Sequence, residues 1–135
     1  MNYLQPLADE LGVTAEWEEH HGSFWLKPES VDVREMAQWM NAHDARLITI
    51  AAMELPDGGG IRMDYHWDVN GTLATVATTA DNRTAATISD LCQAADWIER
   101  EIHEYFAIEF TGRECAPLFL RPGTQPGINL HKEDE

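Results

Sequence analysis

Asp64, His66 and Asp68 alternate along one stretch of the chain. An extended backbone would set these three side chains of metal-ligand type on one face, about 7 Å between neighbours. A small metal-dependent enzyme would use them together; the plainer reading is a solvated strand face. His20 and His21 are adjacent, so an extended segment sends them to opposite sides and they cannot chelate one ion together. Glu99 and His103 stand four apart, a pair that could hold a metal or pass a proton, or serve only as helix-surface electrostatics. His43 and His131 have no companions at metal spacing. Cys92 and Cys115 are the only cysteines, with no Cys-x-x-Cys, which excludes a self-contained four-thiolate zinc or iron–sulfur site. Gly58-Gly59-Gly60 belongs to a turn and opens no helix, so it is no phosphate loop. With so few groups at catalytic spacing, the chain is expected to work through its surfaces.

The elements that would carry these residues are legible from periodicity. Ala15–His20 and Ser23–Leu26 read as short extended segments around a His21-Gly22 turn. Ser30 or Asp32 can cap a helix, and Asp32 with Glu35 has capping-box spacing. Val33, Met36, Ala37 and Met40 then follow on one helical face, to about His43. Arg46–Met53 reads as a strand. In Ile61–Val69, Ile61, Met63, Tyr65, Trp67 and Val69 point one way and Arg62, Asp64, His66 and Asp68 the other. Asn70-Gly71 is a two-residue hairpin turn, and Thr72–Thr79 is the returning strand.

A second helix, capped by Ser89 or Asp90, places Leu91, Ala94, Ala95, Ile98, Ile102, Tyr105 and Phe106 in one stripe about 120° wide. The pattern predicts an α+β fold: an antiparallel β-meander with two main helices on one face, followed by an irregular tail. Residues 1–112 form the expected domain and 113–135 a tail rich in proline and glycine. Leu118, Phe119 and Leu120 are too apolar to be left in water, so part of that tail is expected to dock.

The 135 residues suit one domain. Nine Lys and Arg against 24 Asp and Glu give a net charge of −15. Such a surface repels nucleic acid and anionic lipid. No apolar run approaches the roughly 20 residues that span a bilayer. The polar N-terminus shows no secretory pattern, so a soluble chain with reduced thiols is expected, although one Cys92–Cys115 disulfide stays arithmetically open. Trp97 is the oddity of the second helix, because it points away from the apolar stripe. A large aromatic there is either covered by the tail or reserved for a partner.

Residues 94–112, Ala-Ala-Asp-Trp-Ile-Glu-Arg-Glu-Ile-His-Glu-Tyr-Phe-Ala-Ile-Glu-Phe-Thr-Gly, resemble the hallmark helix of the C subunit of respiratory NADH dehydrogenase (complex I). The same family takes in subunits of energy-converting nickel–iron hydrogenases and formate hydrogenlyase. Ala95, Trp97, Glu99, Arg100, Glu101, Phe106, Ile108, Phe110 and Gly112 match the pattern. His103-Glu104, Ala107 and Arg113-Glu114 depart from it. Ala107 replaces a glycine that would end the helix with positive φ, so the helix end is expected to differ. These departures and the short C-terminus point to the hydrogenase-type branch.

The resemblance implies a cofactor-free subunit without a catalytic site of its own, packed on the large catalytic subunit and beside an iron–sulfur subunit. It implies a cytoplasmic location, peripheral to the inner membrane through those partners. Trp97, Glu99, Arg100, Glu101, Glu104 and Phe119 are the expected partner interface. Glu99 and Glu101 would act as boundary residues bonding a neighbouring loop or partner, with Arg100 turned outward. The alternatives are the metal-dependent enzyme built on Asp64, His66 and Asp68, and a stand-alone homo-oligomeric assembly factor.

Overall fold

The computed structural model describes residues 4–12, 15–28, 31–80 and 83–115, except for the side chain of Asp57. The fold is α+β, as the patterning predicts. Helix α1 (Gln5–Leu11) is followed by the hairpin β1 (Glu18–His20) and β2 (Ser23–Leu26), then by α2 (Val33–Ala42). Three long strands come next: β3 (Arg46–Glu54), β4 (Ile61–Val69) and β5 (Thr72–Ala80). Short β6 (Thr84–Ala86), helix α3 (Ala95–Phe106) and short β7 (Glu109–Thr111) close the described chain.

The sheet is larger than a three-stranded meander. Its order is β1-β2-β5-β4-β3, and β2 joins β5 in parallel, with Trp25 opposite Thr75. The β3–β4–β5 meander itself is antiparallel, with one irregularity at Ile48 between Leu47 and Thr49. Asn70 and Gly71 both adopt positive φ, as a tight turn joining right-twisted strands requires. β6 and β7 form a separate parallel pair.

The alternation in β4 survives intact: Ile61, Met63, Tyr65, Trp67 and Val69 are all buried. They form one apolar cluster with Val33, Met36, Ala37 and Met40 of α2 and with Ala95 and Ile102 of α3. The Asp32 side chain accepts the backbone N–H groups of Arg34 and Glu35, so the α2 cap is the one its spacing predicts. Ser30 lies outside the described residues. Helix α1 has no counterpart in the sequence pattern; Pro6 opens it and Gly12 ends it at φ 68°. Trp17 Nε1 donates to Leu4 O at 2.9 Å and ties this helix to the strand after it.

Helix α3 begins at Ala95, later than its sequence suggests. Asp90 does not cap it. Its carboxylate is held by Arg34 of α2 through two bonds of 2.8 Å, and Arg34 also donates to Thr87 O. A bidentate partner outcompetes a cap that would have to form without one. At the other end Ala107 does take the left-handed conformation, φ 57° and ψ 36°, and its N–H donates to His103 O. The helix therefore ends as the glycine pattern would end it, in an alanine that bears about 1 kcal/mol of strain. Tyr105, expected in the apolar stripe, is exposed and rests against Phe106, because the helix is rolled to bury Glu99 instead.

Candidate functional site

The row of metal-type ligands on β4 is engaged elsewhere. Asp64 is buried, and Arg62 grips its two carboxylate oxygens from 2.7 and 3.1 Å. His66 Nδ1 lies 2.7 Å from Thr75 Oγ1, and Asp68 accepts from Arg46 and from the Gly71 N–H. Trp25 explains why this outer face is not simply wet. Its ring meets His66 edge-on at 5.9 Å and has the Arg62 guanidinium 6.0 Å from its centroid. Among the described residues no group of three His, Cys, Asp or Glu side chains could hold a metal ion. His103, four residues from Glu99 in the sequence, instead sets Nδ1 2.8 Å from Ile108 O. Cys92 and Cys115 are free thiols, and burial pushes both above the usual thiol range.

Helix α3 is where chemistry-bearing residues gather, but in two different settings. Glu99, expected at a boundary, has no exposed surface at all. One oxygen accepts the Thr87 hydroxyl at 2.5 Å and the other the Ile88 N–H at 2.8 Å. It thus bonds a neighbouring loop of its own chain, residues 87–88, and offers nothing to a partner. Arg113 closes the carboxylate from the other side, 3.3 Å from Glu99 Oε1 and 2.6 Å from Asp96 Oδ1. Burial raises the Glu99 carboxyl above its ordinary range, against the pull of Thr87, Ile88 and Arg113. Glu104 is also buried. Phe119 lies outside the described residues.

Of the expected interface residues, Trp97 and Glu101 are exposed. Trp97 is 53% exposed, and the Arg100 guanidinium lies 5.9 Å from its ring centroid. Arg100 also reaches Asp96 at 3.9 Å, and its side chain is only 21% accessible. Next to the first turn of α3, an open groove of about 550 Å³ is lined by Ala45, Leu47, Ile48, Cys92 and Ala94, with Arg46 at its rim. Ile48, the irregular residue of edge strand β3, is half exposed beside it. Two large apolar side chains thus lie open near one end of the helix, bordered by cations on an otherwise acidic chain. Arg113 is the residue that sequence reasoning missed. Its cue was present: a cation shortly after a helix with two carboxylates, Asp96 and Glu99, on one flank.

No helix among the described residues is long and apolar enough to cross a membrane. The family described as "Respiratory-chain NADH dehydrogenase, 30 Kd subunit" matches residues 25–133. No curated protein matches the sequence. A chain in the structure of the membrane-bound sulfane sulfur reductase, an archaeal respiratory membrane complex, superposes with a TM-score of 0.80 at 22% identity. That likeness covers 98% of this chain and 82% of the other. The trypsin-resistant fragment (1-134) of Nqo5 gives a TM-score of 0.64 at 20% identity, over 84% of this chain and 98% of the fragment.

Proposed function

Because the chain belongs to the family of the respiratory-chain NADH dehydrogenase 30 Kd subunit, we propose that it is a non-catalytic subunit of a membrane-associated electron-transfer complex. It docks on the large catalytic subunit of a hydrogenase or NADH dehydrogenase-like assembly. Trp97 carries this reading: it is a half-exposed indole on the rim of a well-packed domain, with Arg100 against its ring and Glu101 one turn on. Tryptophan, tyrosine and arginine are enriched among the few residues that carry most of the binding energy at protein interfaces. The groove bordered by Ile48 and Ala94 extends the same surface. The similarity in fold to a chain of an archaeal respiratory membrane complex supports a place in an assembly of that kind. Its location is peripheral, held to the membrane by its partners.

The test is purification of the tagged chain from its native membranes. Recovery of a large catalytic subunit and an iron–sulfur subunit in constant ratio is expected. A monomer or a homo-oligomer alone would contradict the reading, the latter favouring a stand-alone assembly factor. The metal-dependent enzyme is disfavoured by geometry, since Arg62 already neutralises Asp64 and Arg46 bonds Asp68.

A further inference from the structure

The exposed residues of α3 fall in a single row: Trp97, Glu101 and Tyr105. They stand at i, i+4 and i+8, so each lies about 6 Å further along the axis and the row runs about 12 Å. Its two ends are large rings, each close to half exposed. The ground on either side is lower, because Ile98 and Arg100 are half-buried. A row of side chains four residues apart, standing clear of its flanks, is the ridge that fits the groove between side-chain rows of a second helix.

The charge at the middle of the ridge selects what can cover it. Asp96 is paired with Arg100 and Arg113, and Glu99 with Arg113, whereas Glu101 enters no ion pair with a described residue. A second copy of this chain, laid on the ridge about a two-fold axis, would set Glu101 against Glu101 on two molecules that each carry −15. An anionic lipid surface is repelled by the same charge. A cation set opposite gains from the carboxylate and from the aromatic rings beside it.

We propose that the ridge of Trp97, Glu101 and Tyr105 seats in the groove of an amphipathic helix of the partner subunit, and that this helix sets a lysine or arginine on Glu101. Small or apolar side chains about one turn to either side of that cation receive the two rings. The partner helix presupposes the docking proposed above, on which this assignment rests.

The test uses the assembly drawn from native membranes, with p-benzoylphenylalanine in place of Tyr105. Illumination and mass spectrometry of the linked peptide identify what lies on the ridge. The expected product is a partner segment of helical periodicity, with a lysine or arginine within about one turn of the linked residue. Linkage to a second copy or to an acidic segment, or no linkage in an intact assembly, would overturn the proposal and leave the docking reading standing. A parent chain that leaves its membranes alone would end both. The charge is tested by retention in the purified assembly on dilution. Glu101→Gln should weaken retention about five-fold and make it less sensitive to salt, and Glu101→Lys should weaken it by roughly a hundred-fold. Reversing the linked partner cation to glutamate should restore Glu101→Lys. Both variants should keep the thermal midpoint of the isolated chain, because Glu101 is exposed. Equal retention of all three side chains, or a Glu101→Lys loss that the partner reversal does not repair, would overturn the pairing.

Discussion

The guanidinium of Arg113 sits 3.3 Å from Oε1 of Glu99, a carboxylate with no exposed surface, and joins the last described segment to α3. Glu99 in turn fastens residues 87–88, so three separate stretches of chain meet on one charge. Removing the cation leaves a buried anion with only neutral donors. Arg113→Ala should therefore lower stability by about 3 kcal/mol. Adding Glu99→Gln in the same chain should recover much of that loss, because the amide needs no counter-charge. Urea unfolding midpoints of the single and double variants measure both effects.

The same pair has a pH signature. The Glu99 carboxyl is raised in the folded state, chiefly by burial. A raised carboxyl contributes stability that is full below its unfolded value, about 4.3, and is lost as pH rises through the folded value. Arg113→Ala removes a group that opposes the rise, so its stability should fall more steeply with increasing pH than the parent's. Glu99→Gln should abolish that slope. Stability measured from about pH 4 upward, starting near the unfolded carboxyl value, checks the sign.

Asp90 behaves in the opposite way. The Arg34 fork, aided by a backbone hydrogen bond, holds its carboxyl down to about 2. A depressed carboxyl contributes stability above its ordinary value of 3.8 that is lost as pH falls towards 2. In Arg34→Ala the Asp90 side-chain resonance should titrate back near the ordinary value. Tethering of α2 to residues 87–90 should then lose its dependence on acid pH.

Ala107→Gly should stabilise the chain by about 1 kcal/mol, since the left-handed backbone at φ 57° is strained for alanine and free for glycine. A rise of a few degrees in the thermal midpoint is the expected reading. An unchanged or lower midpoint would mean that the alanine methyl contributes packing that outweighs its strain.

Much of this architecture is written in short-range pattern. The Asp32 cap, the Asn70-Gly71 turn and the alternation of β4 each depend on neighbours within a few residues, and each stands as its spacing predicts. Several of the departures are long-range. Asp90 leaves the helix cap because Arg34 lies 56 residues away in sequence. β2 joins β5 with Trp25 opposite Thr75, 50 residues further along the sequence, a pairing with no local signature. Glu99 reads as a boundary residue on a wheel, but a wheel does not know that Thr87, Ile88 and Arg113 will converge on it and compensate its burial. Of the expected interface, the outward setting of Trp97 was legible because a tryptophan off the apolar stripe needs no distant information. The burial of Glu104 was not.

Trp97 tests the central claim most directly. Replacing a half-exposed indole should leave the isolated domain within about 1 kcal/mol of its parent stability while weakening its hold on the complex. Hydroxyl-radical labelling of Trp97 can be compared between the isolated chain and the assembly drawn from native membranes. The docking account predicts strong labelling of the free chain and clear protection in the assembly, with Trp25 on the opposite sheet face changing little. Equal labelling of Trp97 in both states would contradict it.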